Sequence, residues 1–252
     1  MRGYVHEIFS SFQGEGPLVG RRQIFVRFSG CPLHCVYCDT PHARDFSSGT
    51  LMSESEVLRR ISELRTSDLH SISFTGGEPL AQPDFLRTLA SSTRKEGLTN
   101  YIETNGFNAD SFSTTADLFD FASIDIKLKV HNAVPPEKYD ELYRNEIETV
   151  RISVDSGVYT IVKVVILRGT PVDEIRRICD ELSSFDIKFV IQPFTMSKKR
   201  RMEREQPGGA WNAVESQAEP HVEELFRISE IAGKFLRDVM VIPQMHKMLD
   251  IA

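Results

Sequence analysis

The sequence predicts an α/β fold, a shortened or open (β/α)6 partial barrel of parallel strands with N- and C-terminal extensions. Short β-type runs alternate with helical patterns along the chain, and such alternation favours parallel strands joined by crossover helices. By itself the alternation is compatible with an open doubly wound sheet or with a barrel. About six core strands can be counted where a complete barrel has about eight, which favours the shortened or open form.

The predicted strands are runs rich in β-branched and aromatic residues. They are Arg22–Phe28, Ser71–Thr75, Tyr101–Thr104, Ala122–Lys127, Val158–Leu167, Ile187–Gln192 and, as a last strand, Val239–Ile242. Polar or glycine-rich stretches follow several of them, namely GCPLHCVYCDT, GGEP, ETNG and QPF. Ligands gather at the carboxyl ends of parallel strands, so these stretches predict where the functional site lies.

Helix signals fall between the strands. Ser53 and Glu56 form an S-x-x-E capping box, which predicts a helix over Ser53–Arg65. Pro83 is expected to begin the next helix and Gly97 to end it. Further helical patterns lie near 136–149 and 172–185 and from about residue 221. We expect a single domain of residues 1–252 with a solvated insertion at 197–218, which contains KKRRMERE and PGG.

Composition argues against several classes of protein. The net charge of −6 gives no general basic surface, so no nucleic-acid partner is expected. The run KKRRMERE is interpreted as an exposed face rather than an anion site. No apolar run is long enough to cross a bilayer, and the N-terminus lacks the apolar core of a signal peptide. We therefore expect no membrane association and a cytoplasmic protein, whose thiols are kept reduced.

Three of the four cysteines stand close together, in GCPLHCVYCDTP. A disulfide between two of Cys31, Cys35 and Cys38 would leave an odd thiol and would need an oxidising compartment. A structural zinc site normally has four protein ligands, and the fourth could come from His34, Asp39 or His42. Alternatively, three thiolates can bind three irons of a 4Fe-4S cluster and leave one iron open. Spacing alone leaves zinc and iron–sulfur both possible.

The surrounding motifs resemble those of the radical S-adenosylmethionine (SAM) superfamily. The C-x3-C-x2-C loop carries an aromatic residue, Tyr37, before its last cysteine and follows the first core strand, and GGEP at Gly76–Pro79 follows the second. Within that superfamily the chain resembles the 7-carboxy-7-deazaguanine synthases. The residues that carry this resemblance are EIFSSFQGEG from Glu7 to Gly16, then Gly20, FVRFSGC from Phe25 to Cys31, CDT from Cys38 to Thr40, and IPQMHK from Ile242 to Lys247.

The resemblance implies an activity. The family converts 6-carboxy-5,6,7,8-tetrahydropterin to 7-carboxy-7-deazaguanine and ammonia, a step towards the tRNA bases queuosine and archaeosine. It implies a 4Fe-4S cluster, SAM and Mg2+ as cofactors. Reductive cleavage of SAM would supply a 5′-deoxyadenosyl radical that abstracts a substrate hydrogen, after which the ring contracts and SAM is regenerated. The cofactors would thus carry out the difficult chemical steps.

The resemblance also assigns roles to residues. Cys31, Cys35 and Cys38 would bind the cluster, and Thr40 would be a Mg2+ ligand. The SAM contacts would be Tyr37, Cys38, Asp39, Gly77, Glu78, Thr104, Asn105, Lys127 and Gln192. The substrate contacts would be Phe12, Gln13, Gly14, Glu15, Arg27, Thr75, His246 and the terminal carboxylate at Ala252. Physical chemistry supports some of these roles, because a carboxylate such as Glu78 accepts from an ammonium and an arginine fork such as Arg27 matches a carboxylate.

Several of these residues could instead have ordinary structural roles. Tyr37 could be a packing residue, Thr40 a helix cap, and Thr104 and Asn105 turn residues, while Arg27 could lie on an exposed strand face. The remaining histidines, among them His6, His34, His42 and His131, are interpreted as surface or packing residues. Cys179 is interpreted as a buried thiol on a helical apolar face.

Two other functions compete with the implied one. The first is a related radical-SAM enzyme that acts on another small molecule or activates a partner enzyme. The second is a zinc-stabilised binding module without catalysis. The expected partners are the pterin substrate and an electron donor such as flavodoxin or ferredoxin, and the resemblance alone implies a homodimer.

Overall fold

The computed structural model describes residues 1–196 and 218–249, whose strands form one nine-stranded sheet in the order β3-β1-β2-β4-β5-β6-β7-β8-β9. The strands are β1 Arg2–Phe12, β2 Arg22–Phe28, β3 Thr50–Ser53, β4 Ser71–Gly76, β5 Asn100–Thr104, β6 Phe121–Asp125, β7 Tyr159–Ile166, β8 Lys188–Pro193 and β9 Val239–Val241. From β2 to β9 neighbouring strands are parallel, whereas β1 is antiparallel to both β2 and β3. Since β3 and β9 are the edges of the described sheet, the barrel is open.

Helices connect the parallel strands. They are α1 Glu54–Leu64, α2 Pro83–Lys95, α3 Ala109–Ser113, α4 Tyr139–Asp155, α5 Val172–Glu181, α6 Val222–Ala232 and α7 Met245–Leu249. The capping box at the start of α1 is formed: the Ser53 hydroxyl accepts from the backbone of Glu56, and the Glu56 carboxylate accepts from the backbone of Ser53 at 2.7 Å. This arrangement satisfies two of the free N–H groups of the first helical turn.

Alternation along the strands separates an apolar layer from a polar one. In β4, Ile72 and Phe74 belong to the main core beneath the helices, while the hydroxyls of Ser73 and Thr75 point the other way, towards Glu103. The strands β2, β5, β6 and β7 alternate in the same way, although the inner faces of β5 and β7 also carry apolar residues. The inner face of the partial barrel therefore carries polar and charged groups before any ligand is considered.

The open α/β architecture confirms the predicted fold class, and each predicted strand and long helix is present, with ends within a few residues of those expected except that α4 continues six residues further, to Asp155. Four of these strands and helices were not predicted: β1, β3 and the short helices α3 and α7. The long strand β1 joins the N-terminus to the sheet, and α7 places the tail against the site. The predicted insertion at 197–218 lies outside the described residues except for Ala218, so it stays a prediction, as does the single domain. No described helix is long and apolar enough to cross a membrane.

Candidate active site

A cleft of about 500 Å³ opens at the carboxyl ends of the parallel strands, a size in the range of small-molecule sites. It is lined by every predicted site residue that lies in the described part of the chain. These are Phe12, Gln13, Gly14, Glu15, Arg27, Cys31, Cys35, Tyr37, Cys38, Asp39, Thr40, Thr75, Gly77, Glu78, Thr104, Asn105, Lys127, Gln192 and His246. Ala252 lies outside the described residues. The spatial expectation is thus met, while the individual roles stay predictions.

Backbone hydrogen bonds fix the cysteine loop at both ends. The backbone N–H of Cys31 donates to Arg44 O at 2.8 Å, and the N–H groups of His34 and Val36 donate to Ala133 O and His131 O at 2.8 and 3.0 Å. The sulfur of Cys31 also lies 3.7 Å from Nδ2 of Asn105, which donates to it. The loop is therefore anchored to segments that follow β2, β5 and β6.

The arrangement of the three sulfurs bears on the choice between zinc and a cluster. Sulfur atoms that share one tetrahedral Zn2+ lie about 3.8 Å apart, given a Zn–S distance of about 2.3 Å. Among the described residues, only two groups bring three ligand atoms within 4.8 Å of one another, and neither contains a cysteine. The wider spacing suits a cluster, in which each thiolate binds its own iron. Burial raises the pKa of Cys31 to about 12, so a metal would have to displace its proton.

Glu78 is a buried carboxylate surrounded by donors. Its Oε1 accepts from Leu80 N at 2.8 Å and from the Thr104 hydroxyl at 2.7 Å, and its Oε2 accepts from Asn105 N at 2.8 Å. Burial raises its pKa to about 7, and these hydrogen bonds oppose the shift only in part. Because a carboxylate has about four lone-pair sites, one remains for a further donor. An ammonium group in the cleft would meet that need.

Thr104 and Asn105 also have local structural roles. The Thr104 hydroxyl accepts from Gly106 N at 3.1 Å, and Asn105 Oδ1 accepts from Phe107 N at 3.1 Å. Both residues therefore shape the turn after β5 and position the donors to Glu78. A methyl group added at Gly77 would come within 2.5 Å of the carbonyl oxygen of Gly30, so glycine is required there for packing against the cysteine loop.

Lys127 is the buried cation next to the cysteines. Its ammonium lies 3.1 Å from Asp125 Oδ2 and 5.6 Å from the centre of the Tyr37 ring. Burial alone would lower its pKa, but the charges of Asp125 and its neighbours outweigh that effect and raise it. Tyr37 in turn packs edge-on against His131, with ring centres 4.7 Å apart. Tyr37 is thus a packing residue that also faces the cleft.

The floor of the cleft is a second buried charge cluster. Lys163, on β7, forms ion pairs with Glu15 and with Asp125. Burial would raise the pKa of Glu15, but the charge of Lys163 overrides it and the pKa falls to about 2. Beside this pair, Gln13 Nε2 donates to Glu103 Oε1 at 2.7 Å. Glu15 is therefore ionised and fixed in place before any ligand arrives.

The C-terminal segment closes one side of the cleft. Gln244 Nε2 donates to Glu15 Oε1 at 2.8 Å and to Asp39 Oδ2 at 3.3 Å. The backbone N–H of Met245 donates to Gly14 O at 2.9 Å, and a methyl group at Gly14 would come within 2.5 Å of the His246 ring. Glycine at position 14 is thus what lets the tail approach the loop after β1.

Arg27 projects from β2 into the cleft. Its Nε lies 2.7 Å from Glu7 Oε1, and its guanidinium stacks 5.5 Å from the centre of the Phe9 ring. The arginine is therefore neither a free exposed charge nor a core residue. It is held at the wall of the cleft by one carboxylate that a ligand carboxylate could replace.

Two further polar groups fit a ligand-binding role. Thr40 occupies the cap position of a short 3-10 helix, yet its side chain makes no capping hydrogen bond. Gln192 is 1% exposed, and its Oε1 atom has no hydrogen-bond partner among the described residues. An orphaned buried oxygen is costly unless a bound group satisfies it, so the site fits a ligand with a donor at this point.

Several lining residues were not predicted, among them Glu7, His42, Glu103, Asp125, Lys163, Gln244 and Lys247. A signal for two of them was present in the sequence. Lys163 is the only charge in the apolar strand YTIVKVVI, and Glu103 begins the ETNG stretch at a strand end. The same reasoning that selected Arg27 would have selected Lys163.

Comparison with known proteins identifies the family. A profile of the Radical SAM superfamily matches residues 25–203. The 7-carboxy-7-deazaguanine synthase of Methanothermobacter thermautotrophicus is 40% identical over 99% of this chain and 98% of its own length. That of Methanocaldococcus jannaschii is 37% identical over 97% of this chain and 98% of its own length.

The solved structures agree at the level of the fold. The crystal structure of QueE from Escherichia coli matches with a TM-score of 0.60 and 19% identity, covering 98% of this chain and 95% of its own. A radical SAM methyltransferase from Sphaerobacter thermophilus matches with a TM-score of 0.64 and 14% identity over 88% of this chain and 66% of its own. Together with the near full-length relatives, these matches show that the chain belongs to the 7-carboxy-7-deazaguanine synthase family of the radical SAM superfamily.

Proposed function

We propose that this chain converts 6-carboxy-5,6,7,8-tetrahydropterin to 7-carboxy-7-deazaguanine and ammonia. The observation that carries the proposal is that one cleft gathers the cysteine loop, the GGEP turn and the polar residues of the N-terminal block and the tail. Family membership supplies the class, a radical-SAM carbon–nitrogen lyase that uses a 4Fe-4S cluster and SAM. The assignment of individual residues is part of the proposal.

Cys31, Cys35 and Cys38 would bind the cluster, which together with SAM supplies a 5′-deoxyadenosyl radical for hydrogen abstraction. This chain's own residues position the reactants. Glu78 offers its remaining lone pair to the SAM ammonium, and Lys127 stabilises the negative charge near the cysteines. Asn105 both donates to the sulfur of Cys31 and fixes Glu78. Positioning of this kind can supply much of a rate acceleration.

The two polar ends of the substrate suit two parts of the cleft. The carboxylate end would exchange with Glu7 on Arg27, whose planar fork binds carboxylates in two hydrogen bonds. The pyrimidine edge, with N–H donors and a carbonyl, would lie on the floor between Gln13 and Glu15. Glu15 is kept ionised by Lys163, so it accepts and does not donate. Thr75, His246 and Ala252 complete the proposed substrate contacts.

Thr40 is the proposed Mg2+ ligand. Thr40 lines the cleft, and its hydroxyl makes no capping hydrogen bond and lies 4.0 Å from the sulfur of Cys38. Mg2+ retains several waters while binding one or two protein or substrate oxygens. A substrate carboxylate is a suitable second ligand. We further propose that the chain takes its electron from a flavodoxin or ferredoxin and forms a homodimer, both on the basis of the family resemblance alone.

A turnover assay tests the proposal. The cluster is reconstituted anaerobically on protein with an unmodified C-terminus, and SAM, reductant, Mg2+ and the pterin are added, with carboxydeazaguanine detected by mass. Product formation supports the proposal. Cleavage of SAM to 5′-deoxyadenosine without product would instead favour another radical-SAM substrate or an activase role. Stoichiometric zinc without sulfide would favour the binding module, against which the spacing of the cysteines already argues.

A further inference from the structure

Two histidines and a glutamate converge at the mouth of the cleft. Ligand atoms of His6, Glu7 and His42 all lie within 4.8 Å of one another. The rings of His6 and His42 have centres 4.9 Å apart. Glu7 and His42 line the cleft, but the proposed reaction leaves both histidines without a role.

The backbone brings these side chains together by a specific device. Strand β1 contains a β-bulge, since the pairing with β2 shifts between Val5 and Glu7. The bulge adds His6 as an extra residue. A bulge changes the direction of nearby side chains, so His6 and Glu7, which strict alternation would place on opposite faces of the strand, can lie close together. His42 comes from the short 3-10 helix after Thr40, which is tied down by the hydrogen bond from Gly30 N to Ala43 O at 2.9 Å.

Two of the three side chains already make hydrogen bonds of the kind that orient metal ligands in proteins. Nδ1 of His6 lies 3.2 Å from the carbonyl oxygen of Ser48. A proton on Nδ1, donated to that carbonyl, leaves Nε2 as a free acceptor. Oε1 of Glu7 is bound by Arg27, which leaves its other oxygen available. Ligating histidines and carboxylates characteristically have such outer partners, which fix the tautomer and the orientation.

We propose that His6, Glu7 and His42 form a binding site for one divalent transition-metal ion, of the Zn2+, Co2+, Ni2+ or Fe2+ type. Two imidazoles and one carboxylate suit these metals, whereas Mg2+ and Ca2+ prefer oxygen ligands throughout. Ligand atoms around a tetrahedral Zn2+ lie about 3.4 Å apart, so partly exposed side chains need only small rotations to close the site. Metal binding at this site does not require the proposed reaction to take place.

The other three-ligand group in the described chain is a weaker candidate. Glu15, Asp39 and His246 also lie within 4.8 Å of one another. Their carboxylates, however, already contact the ammonium groups of Lys163 and Lys247. A metal ion there would have to displace both cations. At the mouth, Arg27 binds only one oxygen of Glu7, and the two imidazoles add no charge when neutral.

Occupation of the site has a consequence for the cleft. Before a substrate carboxylate replaces it, Glu7 would bridge the metal ion and Arg27, so the ion would hold the guanidinium in its position at the cleft wall. It would also link β1 to the segment after the cysteine loop. The ion thereby places a positive charge beside the proposed position of the substrate carboxylate.

Cobalt titration of the cluster-loaded protein tests the site. The oxidised cluster is diamagnetic, so high-spin Co2+ is observed by electron paramagnetic resonance without interference, and equilibrium dialysis gives its stoichiometry and Kd. Iron and sulfide are counted before and after, so that cobalt on vacated cysteines is recognised. The variants are His6→Asn, His42→Asn and Glu7→Gln, and the matched control is His221→Asn, at an exposed histidine that begins α6.

We expect one Co2+ per chain, with each of the three variants weakening binding by at least about tenfold and the control leaving it unchanged. Zn2+ should displace the cobalt, and a large excess of Mg2+ should not. The proposal is overturned if the wild-type Kd is weaker than about 1 mM, if the His6 and His42 variants bind as the wild type does, or if Mg2+ displaces the cobalt. None of these outcomes depends on turnover, so they are separable from failure of the proposed function.

Discussion

The ammonium group of Lys247 lies 3.4 Å from the carboxylate of Asp39, the residue that directly follows the last cysteine of the loop. Gln244 reaches the same carboxylate and also Glu15. Partial burial opposes ionisation of Asp39, but the contact with His246, whose Nε2 lies 3.9 Å away, and the charge of Lys247 prevail and hold its pKa well below the usual range. The tail thus fixes the end of the cysteine loop from the opposite end of the chain.

Replacing Lys247 by Met should therefore impair turnover without removing the cluster. Loss of the cation frees Asp39 and the loop end, and small misplacements near the reacting groups cost up to about a hundredfold in rate. Stability should change by about 1 kcal/mol, because the Lys247 side chain is only 11% exposed but the Asp39 side chain is 41% exposed, and an ion pair with one partner in contact with water contributes little.

Single-turnover rate, iron content and Tm of Lys247→Met check this expectation. Lys95→Met is the matched control, since Lys95 lies in the last turn of α2, outside the cleft. A normal rate in Lys247→Met would contradict a positioning role. A parallel loss of iron would mean that the tail supports the cluster itself.

Thr40 should determine the dependence of turnover on Mg2+. Thr40→Ala removes the only proposed protein ligand, and we expect a rate loss of about 10- to 100-fold that added Mg2+ does not restore. Thr40→Ser keeps the hydroxyl and should retain the Mg2+ response. Turnover as a function of Mg2+ concentration, at equal iron content, distinguishes the variants. An Ala variant with the wild-type Mg2+ response would place the ion elsewhere.

The affinity for SAM should fall in acid because of Glu78. Its pKa is raised to about 7 in the free protein, and the proposed ion pair with the SAM ammonium needs the carboxylate. Below that pKa, binding must release one proton, so Kd should rise about tenfold for each pH unit. Above it, Kd should level off until the ammonium of SAM itself loses its proton, near about pH 8.

Equilibrium binding of SAM to cluster-loaded protein at a series of pH values measures this effect. Glu78→Gln cannot ionise at this position, so its binding should be weaker and nearly independent of pH. A wild-type Kd that stays constant through pH 7 would show that Glu78 is not the group that pairs with the ammonium.

The apolar half of the fold was predictable from sequence, because helix-facing residues repeat with the periods of strands and helices. The polar inner face was harder to predict. Lys163 reads in sequence as a single lysine in a strand, and its partners Glu15 and Asp125 lie on other segments of the chain. A lone charge in a buried strand indicates an ion pair but does not identify the partner.

Contacts that depend on unpredicted elements could not be anticipated. The group His6, Glu7 and His42 exists because a bulge interrupts β1, and nothing in RGYVHEIFSSF marks the bulge. The tail contacts to Asp39 require α7, a helix whose short sequence carries little periodic signal. The family motifs indicated His246 in the tail but not the hydrogen bonds of Gln244 that tie it to the floor.

Burial of His131 in the folded protein should make the free energy of unfolding fall in acid. The residue is fully buried; its Nδ1 accepts from Leu128 N at 2.9 Å, which leaves Nε2 to donate to Val165 O at 2.9 Å. Burial, aided by the charge of Lys127, lowers its pKa from 6.5 to about 3. Below pH 6.5, His131 is protonated in the unfolded chain but stays neutral in the folded chain until the pH approaches about 3. Stability should therefore be lost as pH falls, by at most about 1.4 kcal/mol per pH unit.

His131→Gln isolates this contribution, because glutamine offers an acceptor and a donor but does not titrate. It should be less stable than the wild type above pH 6.5, since its geometry matches the two backbone partners less well. On acidification the wild type should lose stability faster than the variant, so the difference between their unfolding free energies should shrink as the pH falls. Denaturant unfolding of both proteins, freed of the cluster, at pH values on either side of 6.5 measures that difference. A difference that does not change with pH would mean that His131 is protonated in the folded protein, in which case Nδ1 could not accept the hydrogen bond from Leu128.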